Sequence, residues 1–169
     1  MSGWLRIEFE CFPANVGSIT LRYLGVVAIS WPVATAVITG RYGRRRSPVP
    51  GASILHNGID FRAPVGAAIL ATQDGTIHTI GNDAGSGNFI LIQNDDGSTS
   101  GYAHTRAQTA LRQGQRVRSS QQIGVSDGSG RISGPHLHYT YRPGTGARPA
   151  TRQSPTADPL TTQFRGMNP

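Results

Sequence analysis

Apolar and polar residues alternate in Trp4-Leu5-Arg6-Ile7-Glu8-Phe9-Glu10 and again in Ser18-Ile19-Thr20-Leu21-Arg22-Tyr23. Period two is that of a half-buried β-strand. Apolar runs follow at Ala67–Ala71, Thr76–Ile80 and Phe89–Gln93, with weaker ones at Ser98–His104 and Gln122–Ser126 and a last one at His136–Arg142. Asp74-Gly75 and Asp96-Gly97 lie between such runs and predict hairpin turns. No segment sustains a helical period. The predicted fold is therefore mainly β, a compact antiparallel β domain.

The longest apolar stretch, Leu24–Thr39, is shorter than the roughly 20 residues that span a bilayer and contains Pro32. Its β-branched residues, Val26, Val27, Ile29, Val33, Val37 and Ile38, predict a buried strand and no membrane span. The chain divides into a β-rich N-terminal extension over residues 1–28 and a main domain over 29–169. Residues 143–157, rich in Pro, Gly, Thr and Arg, read as a loop. No internal repeat is present.

Composition sharpens this picture. The 22 glycines and 11 prolines among 169 residues favour short strands joined by turns. The formal charge is +7, and all 16 basic residues are arginine. Such a surface favours anionic partners. The absence of a helix-turn-helix, zinc-finger or RNP pattern argues against specific nucleic-acid recognition. Cys11 is the only cysteine, which excludes an internal disulfide and a multi-cysteine metal site. Met1–Phe12 carries Arg6, Glu8 and Glu10, so no signal peptide is evident.

The histidines carry the candidate chemistry. In His136-Leu137-His138, residues i and i+2 of a strand share a face, so both imidazoles project into one groove while Leu137, Tyr139 and Tyr141 face the other way into a core. Two such imidazoles share a metal, supply one ligand and one acid-base group, or are simply structural. In His56-Asn57-Gly58-Ile59-Asp60, Gly58 permits a backbone turn that brings imidazole and carboxylate together. A loop hydrogen bond between them is the plainer alternative. Together the segments offer His, Asp and His, and catalytic zinc sites keep three protein ligands and one open position. No HExxH motif supplies a glutamate base, which leaves His136 and His104 for proton transfer. His78 reads as an ordinary strand residue.

These residues resemble the lysostaphin-type (LytM-like, M23) endopeptidases over residues 29 to 161. His56-Asn57-Gly58-Ile59-Asp60 is similar to that family's HxGxD motif, Gly101-Tyr102-Ala103-His104 to its YAH motif, and Gly134-Pro135-His136-Leu137-His138 to its GPHLH ending. Trp31-Pro32-Val33, Ile38–Arg45 and Asp158-Pro159-Leu160 resemble its opening and closing segments. Asn94 stands where many members have a histidine, and the 143–157 loop is longer than usual.

The resemblance implies a groove-type, duplicated-hybrid-motif-like β fold. It implies Zn²⁺ held by His56, Asp60 and His138, with His104 and His136 as catalytic residues. The implied activity is hydrolysis of peptide stems or cross-bridges of bacterial peptidoglycan. Both pentaglycine and D-Ala–diaminopimelate bonds remain open as targets. With no evident signal, the expectation is a phage-encoded virion-associated or lysis enzyme acting in an extracellular or periplasmic place. Residues 1–28 would then dock to other virion or tail proteins. A non-catalytic wall-binding or structural tail module, and a zinc amidase, are the rival readings.

Overall fold

The computed structural model describes residues 28–46, 49–107, 110–144 and 154–169. The expected extension, with its strands at Trp4–Glu10 and Ser18–Tyr23, lies outside the described residues except for residue 28. Every regular element among the described residues is a β-strand: β1 (Ile38–Gly40), β2 (Gly43–Arg44), β3 (Leu55–His56), β4 (Ile59–Arg62), β5 (Ala68–Leu70), β6 (Gly75–Asp83), β7 (Gly87–Asn94), β8 (Thr99–Thr105), β9 (Arg116–Val117), β10 (Gln122–Val125) and β11 (His136–Arg142). Seven of them form one sheet in the order β1-β4-β11-β8-β7-β6-β9, and β10-β5 and β2-β3 form two-stranded ribbons. All pairings are antiparallel.

The period-two pattern sorts the two faces of the large sheet. Ile59 and Phe61 of β4, Leu137 and Tyr139 of β11, and Ile90 and Ile92 of β7 are at most 1% exposed and belong to one core with Ile69, Val117 and Ile123. The intervening residues of β4 and β11 face a groove. A polar network crosses this core. Thr72 Oγ1 lies 3.2 Å from Ser100 Oγ, 3.0 Å from the Tyr102 hydroxyl and 3.1 Å from that of Tyr139. The Gln163 amide donates to Thr72 and Gln73 and accepts from Tyr139. Burial pushes the Tyr102 phenol up to about 12, so it stays a neutral hydrogen-bonding group.

Two expectations need correction. Within Leu24–Thr39 the described residues form a strand only from Ile38. Residues 32–35 bend, Pro32 has no N–H for a ladder, and its carbonyl accepts from Leu70 instead (2.9 Å). Val33 is nonetheless buried. No described helix is long and apolar enough to cross a membrane. Asp96-Gly97 does join paired strands, β7 and β8. Asp74-Gly75 does not close a hairpin, because β5 pairs with β10 and β6 with β7. The Asp74 carboxylate instead accepts from the Ser119 N–H (2.7 Å), anchoring the turn before β10. Of the 143–157 loop, residues 145–153 lie outside the described residues, and Ala157 rejoins β11 by a bridge to Tyr141.

After that bridge, Asp158 organises a turn: its carboxylate accepts from the Leu160 N–H (3.0 Å) and its carbonyl from that of Thr162. The turn drives Phe164 into the core beneath β4 and β11. Its ring sits 4.5 Å from that of Trp31, 5.4 Å from Tyr139 and 6.5 Å from Phe61, centroid to centroid. Both flanks of the chain thus seal the core under the two strands that carry the groove. Phe164→Ala is expected to destabilise the fold by about 3–5 kcal/mol, because a fully buried ring leaves a cavity. Denaturant unfolding measures this; a loss below about 1 kcal/mol would show that the C-terminal turn is not part of the cooperative unit.

Candidate active site

The site forms where β3, β4, β8 and β11 meet. Antiparallel pairing sets Asp60 of β4 directly opposite His138 of β11. His56 reaches the same point from β3, which belongs to the separate β2-β3 ribbon. Asn57-Gly58 carries the chain from ribbon to sheet. The expected role of Gly58 changes here. It is required for space, since a Cβ there would lie 2.2 Å from the Tyr139 carbonyl and 2.9 Å from His138 Cε1.

Three ligand atoms converge. His56 Nε2 and His138 Nδ1 lie 3.0 and 2.9 Å from Asp60 Oδ1 and 2.9 Å from each other. The other nitrogen of each ring faces an oxygen that accepts only. His56 Nδ1–H donates to the Arg41 carbonyl (2.7 Å), and His138 Nε2–H donates to Asn57 Oδ1 (3.1 Å). In the neutral tautomers that these bonds select, both converging nitrogens carry lone pairs, as does the carboxylate. Three acceptors facing one point repel unless a cation sits between them. The chemistry of this N,O,N donor set fits a divalent metal such as zinc, and the ligand atoms all lie within 4.8 Å of one another.

Burial alone would raise the Asp60 carboxyl. With no cation at the centre, protons on the facing nitrogens of His138 and His56 would donate to it, outweigh burial and hold the group well below the usual carboxylate range; a bound metal takes the place of those protons. Asp60 Oδ2, turned away from the histidines, accepts from the Arg45 guanidinium at 3.0 Å. That bond orients the carboxylate so that a single oxygen faces the imidazoles.

His104 arrives by a different device. Along the β7–β8 ladder Asn88 pairs with Thr105 and Phe89 with Ala103, so His104 is the extra residue of a β-bulge. Its φ is +62°, a left-handed conformation costly for a residue with a Cβ. Its N–H donates to the Ser86 carbonyl, its own carbonyl accepts from Asp127 N–H, and Nδ1–H donates to the Ser129 carbonyl (2.9 Å). Nε2 is thereby left with a lone pair toward the groove. Burial, and then the charge of His136, push this imidazole down to about 4, so it is neutral at pH 7.

His136, two residues from His138 on the same strand face, donates from Nδ1 to the Gly134 carbonyl (2.8 Å), and its Nε2 lies 3.6 Å from Asp60 Oδ1. The rings of His104 and His136 are 4.8 Å apart. The structure therefore brings together all five residues singled out in the sequence. His78 stands apart, exposed at a bulge of β6 and bonded to its neighbour Thr79. The groove around the five measures about 940 Å³.

A loop completes the wall behind His104. The Ser129 hydroxyl donates to the Thr105 carbonyl and accepts from Asn88 N–H, while Gly87 and Gly130 approach so closely that a Cβ on either would lie 2.4 Å from the other segment's backbone. The loop bearing the His104 acceptor is thus clamped to the β6–β7 hairpin.

The model of the family described as Peptidase family M23 matches residues 54–150, more than half of the chain. The chain belongs to peptidase family M23. It is 36% identical over 119 residues to the peptidoglycan DD-endopeptidase ShyC of Vibrio cholerae, an alignment covering 70% of this chain and 27% of that relative. The chain spans about a quarter of the length of the curated relatives it matches. Among solved structures, a zinc containing peptidase from Vibrio cholerae superposes with a TM-score of 0.61 at 31% identity, covering 73% of this chain and 38% of that one. The catalytic domain of the prophage-encoded M23 protein EnpA from Enterococcus faecalis, solved as a single-substitution mutant, superposes with a TM-score of 0.62 at 27% identity, covering 76% and 92%.

The orienting partners were not singled out in the sequence. Arg45 lies inside the Arg44-Arg45-Arg46 run, which looks like a solvated charge cluster. Asn57 lies inside the motif, and its spacing to His138 is invisible without the fold. Arg41, Ser129 and Gly134 act through backbone carbonyls, which leave no mark on side-chain identity. Arg45→Ala is expected to weaken zinc binding about 10- to 100-fold, the usual effect of removing an outer-shell partner. Competition against a chelating dye measures this; an unchanged Kd in a folded variant would show that Asp60 is held without Arg45.

Proposed function

We propose that this chain is a zinc-dependent endopeptidase that hydrolyses peptide cross-links of bacterial peptidoglycan. In this reading His56, Asp60 and His138 hold the metal, and His104 and His136 are the catalytic residues. The observation that carries it is the convergence of three lone-pair atoms beside two further imidazoles with fixed tautomers. The name of the Vibrio relative, a peptidoglycan DD-endopeptidase, supports the substrate class. The zinc containing peptidase among the solved neighbours supports the metal.

When bound, the zinc supplies Lewis acidity toward the scissile carbonyl and the attacking water. This chain's residues supply position and proton transfer. An extended peptide lies in the groove with its scissile carbon over the His104–His136 pair. An Nε2 lone pair of that pair accepts the water proton as the O–C bond forms, and the resulting imidazolium N–H faces the developing oxyanion. The same proton then passes to the leaving amine nitrogen as the C–N bond breaks, restoring the ring that accepted it. His104, already neutral and buried, is suited to accept.

The non-catalytic alternative has no such use for five converging groups. The finer reading, a phage-encoded enzyme carried on the virion or released at lysis, has support in the likeness to the prophage-encoded EnpA domain, although the curated relative is bacterial. Docking through residues 1–28 belongs to that reading.

Purified walls are expected to lose turbidity with the wild-type chain and to keep it with a chelator. Fragment mass spectra should reveal new peptide termini between amino acids, whereas a freed lactyl group would identify an amidase. His138→Ala is expected to lose zinc. His104→Ala is expected to keep zinc and lose about 10²–10⁴-fold in rate; a fully active His104→Ala removes it from the catalytic set. For the phage reading, peptides of this chain are expected in gradient-purified virions, and a pull-down of virion proteins should fail without residues 1–28. Equal capture by the truncated chain counts against docking.

A further inference from the structure

Among the described residues, five arginines line the main groove, Arg41, Arg44, Arg45, Arg62 and Arg131, and one carboxylate, Asp60. Two of the five are occupied within the protein. Arg45 holds Asp60, and Arg131 donates to the Gly51 carbonyl across the groove (2.6 Å). Arg41, Arg44 and Arg62 are exposed and have no ion-pair partner among the described residues. Three unbalanced guanidinium groups lining one groove attract an anion.

Arg62 has a fixed relation to the chemistry. It follows Asp60 by two residues on β4, so both side chains leave the same face of the sheet. Its partner across the ladder is His136, just as the partner of Asp60 is His138. The guanidinium therefore springs from a point about 6.6 Å along the strand from the metal-ligand pair, which is within the reach of one or two residues of an extended peptide. Across β11 lies a smaller depression of about 300 Å³ whose lining mixes Phe89, Leu91 and Ala103 with Asn57, Thr140 and the buried Arg142, which donates to Thr140. A peptide crossing the site meets exposed guanidinium groups on the β4 side and, beyond β11, a buried one already bonded within the protein.

We propose that Arg62, backed by Arg44, forms a carboxylate subsite that selects cross-links in which the residue beside the scissile bond keeps a free carboxylate, as a diamino acid does, over neutral all-glycine bridges. The inference rests on the peptidase reading above. A planar guanidinium pairs with a carboxylate through two parallel hydrogen bonds, a geometry that a carboxamide cannot match. The subsite sets which cross-link is bound and oriented. The proton transfers stay with the two histidines.

The test uses the zinc-loaded full chain and three synthetic cross-linked peptides. Two differ only in a carboxylate or carboxamide beside the scissile bond, and the third carries a glycine bridge. The wild type is expected to favour the carboxylate peptide over its amide about tenfold in kcat/KM, chiefly through KM. Arg62→Gln should abolish the preference by lowering kcat/KM for the carboxylate peptide to the value for its amide, while melting at the wild-type temperature. Equal cleavage of acid and amide by the wild type, preference for the glycine bridge, or a preference that survives Arg62→Gln would each overturn the subsite. Cleavage of none of the three by zinc-loaded wild type removes the peptidase reading itself, and the subsite with it.

Discussion

The antiparallel pairing of β4 with β11 is the constraint on which the rest of this structure depends. It puts Asp60 opposite His138 and Arg62 opposite His136, and it turns Ile59, Phe61, Leu137 and Tyr139 into the core. A shift of one residue would reverse every one of these assignments, burying the polar groups and exposing the aromatic ones. The register is held from behind. Tyr139 ties into the Thr72–Ser100–Gln163 hydrogen bonds, and Phe61 and Tyr139 pack against Phe164. The geometry of the groove is therefore fixed mostly by contacts on the opposite face of the sheet.

Above that frame, four imidazoles are each assigned a tautomer by an oxygen acceptor, two of them, His56 and His138, beside Asp60 and two, His104 and His136, facing each other across the groove. Three of those acceptors are backbone carbonyls and the fourth is a side-chain amide. On the proposed reading, the division of labour between ligand and acid-base histidine follows from which nitrogen remains after the acceptor is satisfied, and from how the strand or bulge aims it. The same residue type would then serve two chemistries within one cleft.

Much of this was legible in the chain. The i, i+2 spacing of His136 and His138 on a β-rich segment predicted one face, and the strand runs over the expected residues, from His136 to Arg142. Runs at Ala67–Ala71, Thr76–Ile80, Phe89–Gln93 and Ser98–His104 each became strands because alternation and β-branching act locally. What failed was non-local. Asp74-Gly75 has hairpin chemistry, yet its flanking strands were claimed by different partners. The described part of the apolar stretch ahead of Ile38, residues 28–37, forms no strand and bends at 32–35, where Pro32 has no N–H to give a ladder. Arg45 and Asn57 acquire their roles only from pairings 15 and 81 residues distant in the chain. The bulge that aims His104 depends on a register shift that no local pattern announces.

The clamp between the loop at Ser129 and the β6–β7 hairpin has a consequence for how this fold can diverge. Gly87 and Gly130 face each other with no room for even a methyl group, and the carbonyl beside them aims the His104 ring. Sequence change at the hairpin tip is thus coupled to the catalytic cleft through rigid backbone. Bulk inserted at either glycine would push the Ser129 carbonyl away from Nδ1 and release the His104 ring, while His56, Asp60 and His138 keep their own partners on β3, β4 and β11. On the proposed roles, such a chain would be a folded protein that still holds its metal and has lost only the power to cut.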